Sequence, residues 1–261
     1  MLAGYANADG GFGYALHPDL RSATSQPVGA MHVLEILEEV EGVATPIAAS
    51  LCDWLDTVAL VDGGLPFALP HGDRAGSAPM WGGADGSRSS LLITCAVSAI
   101  AHRIADRYPA IAEHPWLPRA TEYCLGEIAE MKSAGMAIEL RFALQLLDAL
   151  HDKDGGAAAE LRRVGGFLPA SGTIPVHEGA AGEAMRPLDF SPAPDRPLRA
   201  LLGDEVIAAA LDGLEAEQDS EGAWDVDFTV YSPAAKVEWR GEATLRALKV
   251  LQSHGRVEVR A

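Results

Sequence analysis

An acidic residue followed directly by glycine recurs along this chain where helical segments end. That recurrence restricts the available folds more than any other feature. The copies are Asp9-Gly10-Gly11-Phe12, Asp62-Gly63-Gly64-Leu65, Asp85-Gly86, Asp154-Gly155-Gly156 and Glu221-Gly222-Ala223-Trp224. Each sets a turn former where a helix has to stop, with glycine free to take the positive φ that other residues avoid. One copy alone is an ordinary helix end. Five at varied intervals predict a degenerate helical repeat.

Apolar residues three and four apart predict the helices between these turns. The spans are 26–40, 45–58, 89–107, 116–131, 136–151, 204–218 and 233–254. Thr45-Pro46 reads as a cap followed by a proline suited to the first turn. The 89–107 span is apolar on nearly every side and is expected inside. Strand signals are short: 223–230 alternates, and 256–260 extends the end. The connections 61–88 and 166–203 are long and rich in Gly and Pro, as functional or wrapping loops are. Within the second, 179–199 has no helical period yet holds Leu188, Phe190 and four prolines. It is too apolar for a disordered linker and predicts an ordered strap.

Against 20 Lys and Arg stand 37 Asp and Glu, a formal charge of −17 in 261 residues. So acidic a chain does not suit sequence-independent nucleic-acid binding or docking on anionic lipid. Cys52, Cys95 and Cys124 are too scattered for a disulfide framework or a metal knuckle and read as buried free thiols. The N-terminus has neither a basic nor an apolar leader segment. The most apolar stretch, 91–101, falls short of the ~18 residues a span needs. The expectation is a cytoplasmic protein without a membrane span.

Gln218-Asp-Ser-Glu-Gly222-Ala-Trp224 fits the Gln-x-x-x-Gly-x-Trp core of the repeat in squalene–hopene cyclases and related terpenoid cyclases. Tyr5-Ala-Asn-Ala-Asp-Gly10-Gly-Phe12 resembles it with Phe for Trp and Ala6 for Gln, and His151-Asp-Lys-Asp-Gly155-Gly-Ala157 is a poorer copy. The chain thus resembles the terpenoid cyclase and protein prenyltransferase superfamily. The resemblance implies an all-α fold, a single α/α toroid of paired helices over residues 1–261. It also implies a structural, stapling role for Gln218, Gly222, Trp224, Gly10 and Phe12. In that repeat a helix precedes each turn, yet the first motif starts at residue 5, so an amphipathic helix upstream of Met1 is expected.

Members of the superfamily that begin by protonation use Asp-x-Asp-Asp. The nearest match is Asp225-Val-Asp227-Phe228, with Phe228 in the last position. Two carboxylates at i and i+2 of an extended segment share a face. Asp227 is the candidate acid and Asp225 its assistant; surface or capping roles are the alternative. Asp-x-Cys for zinc and Asp-Asp-x-x-Asp for magnesium diphosphate do not occur, and no metal or cofactor is expected. Candidate substrate-binding residues are Asp19, Trp81, His177, Arg186, Glu238 and Trp239. Arg186 and Arg199 can hold an anion or pin a loop through carboxylates. In a ring the chain ends meet, which would bring Asp19 to Asp225.

Three functional readings follow. The first is a cyclase- or prenyltransferase-like protein that binds or cyclises an apolar isoprenoid in a central cavity with carboxylate acid chemistry. The second is a binding or scaffold protein that keeps the toroid without the catalytic motifs. The third is a carbohydrate-active enzyme with two carboxylates as acid and base.

Overall fold

The computed structural model describes residues 2–40, 45–72, 75–177 and 179–257. It is mostly helical, with 54% of residues in helix and a single two-stranded sheet among the described residues, which is compatible with an all-α chain. Two compact units, residues 1–131 and 132–261, divide it.

In the first unit a single 3-10 turn, Leu2–Tyr5, precedes α1 (Pro27–Glu39), α2 (Ile47–Val58), α3 (Pro79–Gly82), α4 (Leu91–Ile104), α5 (Pro109–Ala112) and α6 (Trp116–Glu130). α4 is central, packing on α1 and on α6. Of its 14 residues only Leu92, His102 and Arg103 escape full burial, as its all-round apolar sequence predicts. Ser90 caps it by accepting from the Ile93 N–H, and Arg103 ties it to α1 with paired bonds to Glu38 at 2.6 and 2.8 Å. Cys52, Cys95 and Cys124 are buried free thiols; burial, then the neighbouring Asp53, pushes Cys52 up to about 12.

The second unit holds α7 (Ala137–Leu150), α8 (Ala157–Gly165), β1 (Ile174–Pro175), β2 (Ala184–Met185), α9 (Pro187–Phe190), α10 (Asp204–Ala216) and α11 (Pro233–Ser253). β1 and β2 form an antiparallel pair with Ile174 opposite Met185 and Pro175 opposite Ala184. The 179–199 stretch is indeed ordered and strapped to α7. Arg196 bonds the buried Asp148 carboxylate at 2.8 Å, the Leu198 N–H reaches the other oxygen at 2.7 Å, and Gln145 Nε2 donates to the Asp189 carbonyl. α10 and α11 close on a core of Ile207, Leu211, Trp224, Ala247, Val250 and Leu251.

Two expectations need correction. Residues 223–230 form no strand. The alternation is real, since Trp224, Val226, Phe228 and Val230 turn inward while Asp225, Asp227 and Thr229 are exposed, but no segment among the described residues supplies a ladder. The nine-residue α8 went unread because Asp154-Gly155-Gly156 resembles the other corners. Its Asp154 Oδ1 instead accepts from the Gly156 and Ala157 N–H groups and opens a helix. The extension expected at 256–260 falls largely outside the described residues.

Three of the acidic-glycine turns share one geometry. The N–H of Asn7, Leu60 and Asp219 donates to the carbonyl four residues on, at 2.9, 2.8 and 2.9 Å. Gly10, Gly63 and Gly222, three residues on, adopt φ of 90°, 90° and 84° and return a bond to the first carbonyl. A carboxylate holds the next N–H: Asp9 on Gly11, Asp62 on Gly64, Asp219 on Ala223, at 2.9, 3.0 and 3.0 Å. The following side chain, Phe12, Leu65 or Trp224, is buried. Gly86 and Gly155 lack the positive φ, so the repeated corner occurs three times rather than five.

Candidate functional site

The carboxylates of Asp225 and Asp227 lie on one exposed face, as their spacing predicts, but each is taken up by a different guanidinium. Asp225 meets Arg240 at 3.1 Å, alongside Asp219 at 2.6 Å and Glu221 at 2.8 Å. Asp227 meets Arg186 at 3.1 Å, which also binds Glu217 at 2.6 Å. Their side chains are 64% and 42% exposed, so neither stands against the dry wall that keeps an acid protonated.

Arg186 is therefore a cross-link, and its backbone N–H completes a capping box with Asp189 at the start of α9. Of the other candidates in this unit, His177 and Glu238 are exposed, and Trp239 meets Phe228 edge-on with centroids 5.1 Å apart. Arg199 donates to the Ser191 carbonyl and to His254 Nε2, while its buried Nε and Nη1 have no acceptor among the described residues. Desolvation lowers its affinity for the proton. The repeat residues staple, in altered roles. Trp224 Nε1 caps the Leu214 carbonyl of α10 at 2.7 Å, and Gln218 Nε2 donates to the Gly222 carbonyl at 3.1 Å.

In the first unit the structure brings Asp19 and Trp81 together. The Ala78 N–H donates to the Asp19 carbonyl at 2.9 Å, and the Trp81 N–H closes back on Ala78. Trp81 is buried, stacks on Phe67 at 4.5 Å and meets His17 edge-on at 5.1 Å. Its Nε1–H has no acceptor among the described residues.

His17 leads into a chain of polar groups absent from the sequence reading. Its Nδ1 is 2.9 Å from His32 Nε2, and His32 Nδ1 is 2.6 Å from Glu35 Oε2. The Glu35 carboxylate accepts from His32 Nδ1–H, and one proton lies between His32 Nε2 and His17 Nδ1. Burial, and then His32, lowers His17 well below the usual histidine value, so it is neutral at pH 7. His17 also lines a small cavity with Phe12, Leu16, Leu20, Ser22 and Gln26.

The backbone delivering His17 is unusual. Tyr14 and Ala15 take φ of 53° and 61°, the left-handed region that costs a side chain about 1–2 kcal/mol. Gly13 is wedged so closely that a Cβ there would come 2.4 Å from the carbonyl oxygens of Ala23 and Thr24. Gln26 fixes the opposite loop, exchanging two bonds with the Leu69 backbone at 2.9 and 3.2 Å. The His32/Glu35 spacing on one helix was the available signal for this cluster. The approach of His17 was not, because neither Tyr nor Ala announces a left-handed backbone.

Among the described residues no group of three or more His, Cys, Asp or Glu is placed to hold a metal ion. No helix there is long and apolar enough to cross a membrane. No protein-family model and no curated protein matches the chain.

Proposed function

We propose that this chain is a terpenoid-cyclase- and prenyltransferase-like repeat protein whose helices close into a single α/α toroid. On this reading it binds an apolar isoprenoid-type molecule and does not protonate it through Asp227. The observation that carries the reading is the corner built alike at Gly10, Gly63 and Gly222, with the same hydrogen bonds and the same buried residue after it. Corners on a repeating helical scaffold are what the Gln218-to-Trp224 motif implies. Binding without acid catalysis is favoured by the guanidinium partners and solvent exposure of Asp225 and Asp227.

The test is mass spectrometry of organic-soluble molecules that co-purify with the protein, followed by binding of a polyprenyl alcohol to wild type and to Asp227→Asn. Retention of a polyprenyl compound, with equal affinity in both proteins and no cyclised product from either, supports the reading. Product formation that vanishes in Asp227→Asn reinstates the acid. No retained or bound isoprenoid removes the ligand class altogether.

A further inference from the structure

We propose that the outer face of α11 docks a basic amphipathic helix of a partner protein. The inference does not rest on isoprenoid binding.

α11 is apolar on two opposite sides. On the inner side Ala235, Ala247, Val250 and Leu251 are buried, the last three in the core shared with α10. On the outer side, at about 100° per residue, Val237, Gly241, Leu245 and Leu248 fall within about 80° of one another. There Val237, Leu245 and Leu248 stay 73%, 54% and 37% exposed. Apolar residues scattered singly over a surface are ordinary, whereas large ones aligned on one helix mark a face that binds. Gly241, in the middle of the stripe, has nothing within 4 Å of where a Cβ would stand, although glycine weakens a helix interior. It leaves a notch in which a partner's side chain can reach the α11 backbone.

Charge identifies the occupant. Residues 212–227 carry seven carboxylates and no Lys or Arg. Each carboxylate is gripped by one of three arginines from elsewhere in the chain, Arg186, Arg240 or Arg256. Seven carboxylates against three guanidiniums leave four negative charges in an array fixed by ion pairs. Asp225, Asp212 and Glu221 are still 64%, 67% and 81% exposed, and a carboxylate has room for further donors. The array borders the stripe: Arg240 bonds Glu221, and Thr244 accepts from the Trp224 N–H. Thr244 stands only about 20–40° around the helix from Val237 and Leu248. Along the other edge follow Glu238, Glu242 and Lys249. An apolar stripe with an acidic rim fits a helix that carries apolar residues on one face and Lys or Arg beside them. A second copy of this chain, itself at −17, brings the same acidic rim and is repelled.

The probe is a fluorescent peptide of about 18 residues, made of Leu and Lys with the leucines at helical spacing. A second peptide has the same composition in scrambled order. Fluorescence anisotropy reads binding to the full chain, and sedimentation of the chain alone gives its oligomeric state. The ordered peptide is expected to bind about tenfold more tightly than the scrambled one, and to weaken about tenfold from ~50 to ~300 mM salt. Val237→Gln combined with Leu245→Gln changes exposed positions to a good helix former and is expected to weaken binding about tenfold. Glu221→Gln combined with Asp225→Asn is expected to weaken it about threefold at low salt. Val61→Gln, at an exposed apolar residue of the first unit, leaves it unchanged. Binding of the scrambled peptide as tightly as the ordered one, or of the double glutamine variant as tightly as wild type, overturns the docking face. A dimer of the chain that the same variant dissolves gives the face to a second copy and overturns the basic partner.

Discussion

The indole N–H of Trp224 donates to the carbonyl of Leu214 at 2.7 Å, so the ring that follows the last corner caps the helix that precedes it. The residue with the most recognisable motif is thus a helix cap and a core side chain at once, 4% exposed in the α10–α11 core. Trp224→Phe keeps most of the packing and orphans the carbonyl, which costs about 1 kcal/mol. Gln218→Ala removes an exposed bond and stays within about 0.5 kcal/mol of wild type. Urea unfolding of both variants checks the ranking. A larger loss for Gln218→Ala would return the stapling role to the glutamine.

Gly63 and Gly222 share a backbone conformation and differ in what surrounds them. A Cβ on Gly63 would sit 2.6 Å from the Arg119 carbonyl oxygen of α6, while Gly222 has nothing nearer than Gln218 Nε2 at 3.7 Å. Gly222→Ala therefore meets the left-handed strain alone, about 1–2 kcal/mol. Gly63→Ala meets that strain and a backbone clash, and is expected to lose about 1–3 kcal/mol more. Equal denaturation midpoints would show that the corner at Gly63 yields freely and that its seat on α6 contributes nothing.

The long helices were legible because each needs only its own period and ends. Apolar spacing along 91–104 announces a buried helix whatever lies around it, and Ser90 stands at its start as a cap. Segments whose structure depends on a partner were not. The alternation at 223–230 is correctly an in–out pattern, but an extended segment becomes a strand only when another edge reaches it. Asp154-Gly155 and Asp62-Gly63 look alike in sequence. They part because one carboxylate serves the first N–H groups of α8 and the other the corner at Gly64. At the candidate site, Trp81 and Asp19 could be singled out as an aromatic and an acid in long loops. The histidine pair was hidden by a 15-residue separation closed through the left-handed turn at Tyr14 and Ala15.

Asp148 is a second point where one side chain holds a long connection. Its carboxylate takes Arg196 Nε on one oxygen and the buried Leu198 N–H on the other. Asp148→Ala strands that N–H and is expected to cost about 1–3 kcal/mol. The Arg196 pair adds little to this, because its guanidinium is 37% exposed and screened by water. Hydrogen exchange gives the sharper readout: the Leu198 amide loses protection while amides of α4 keep theirs. Unchanged protection at Leu198 would mean that the strap is held by its apolar residues, Phe190 and Leu198, and not by this carboxylate.

The histidine pair gives the molecule a definite pH response. In the folded protein His17 binds its proton well below the ordinary value of 6.5, because burial and then His32 oppose the charge. Above pH 6.5 the ring is neutral whether folded or unfolded, and the stability tied to it is fully present. As pH falls below 6.5 the unfolded chain takes up the proton first, and stability drains away until the folded-state value is reached. The limiting slope for one such group is about 1.4 kcal/mol per pH unit. His32 stacks on the same ring with Glu35 bonded behind it, and Asp19 lies two residues away, so the group to isolate is His17 itself. Urea midpoints of wild type and His17→Gln, measured from pH 7.5 down to 4.5, give the comparison. Wild type is expected to lose stability more steeply below pH 6.5, the two curves converging as acid removes what the histidine contributes. Parallel curves over that range would show that His17 takes its proton as readily in the fold as in water, and that the burial of the pair has no hold on its charge.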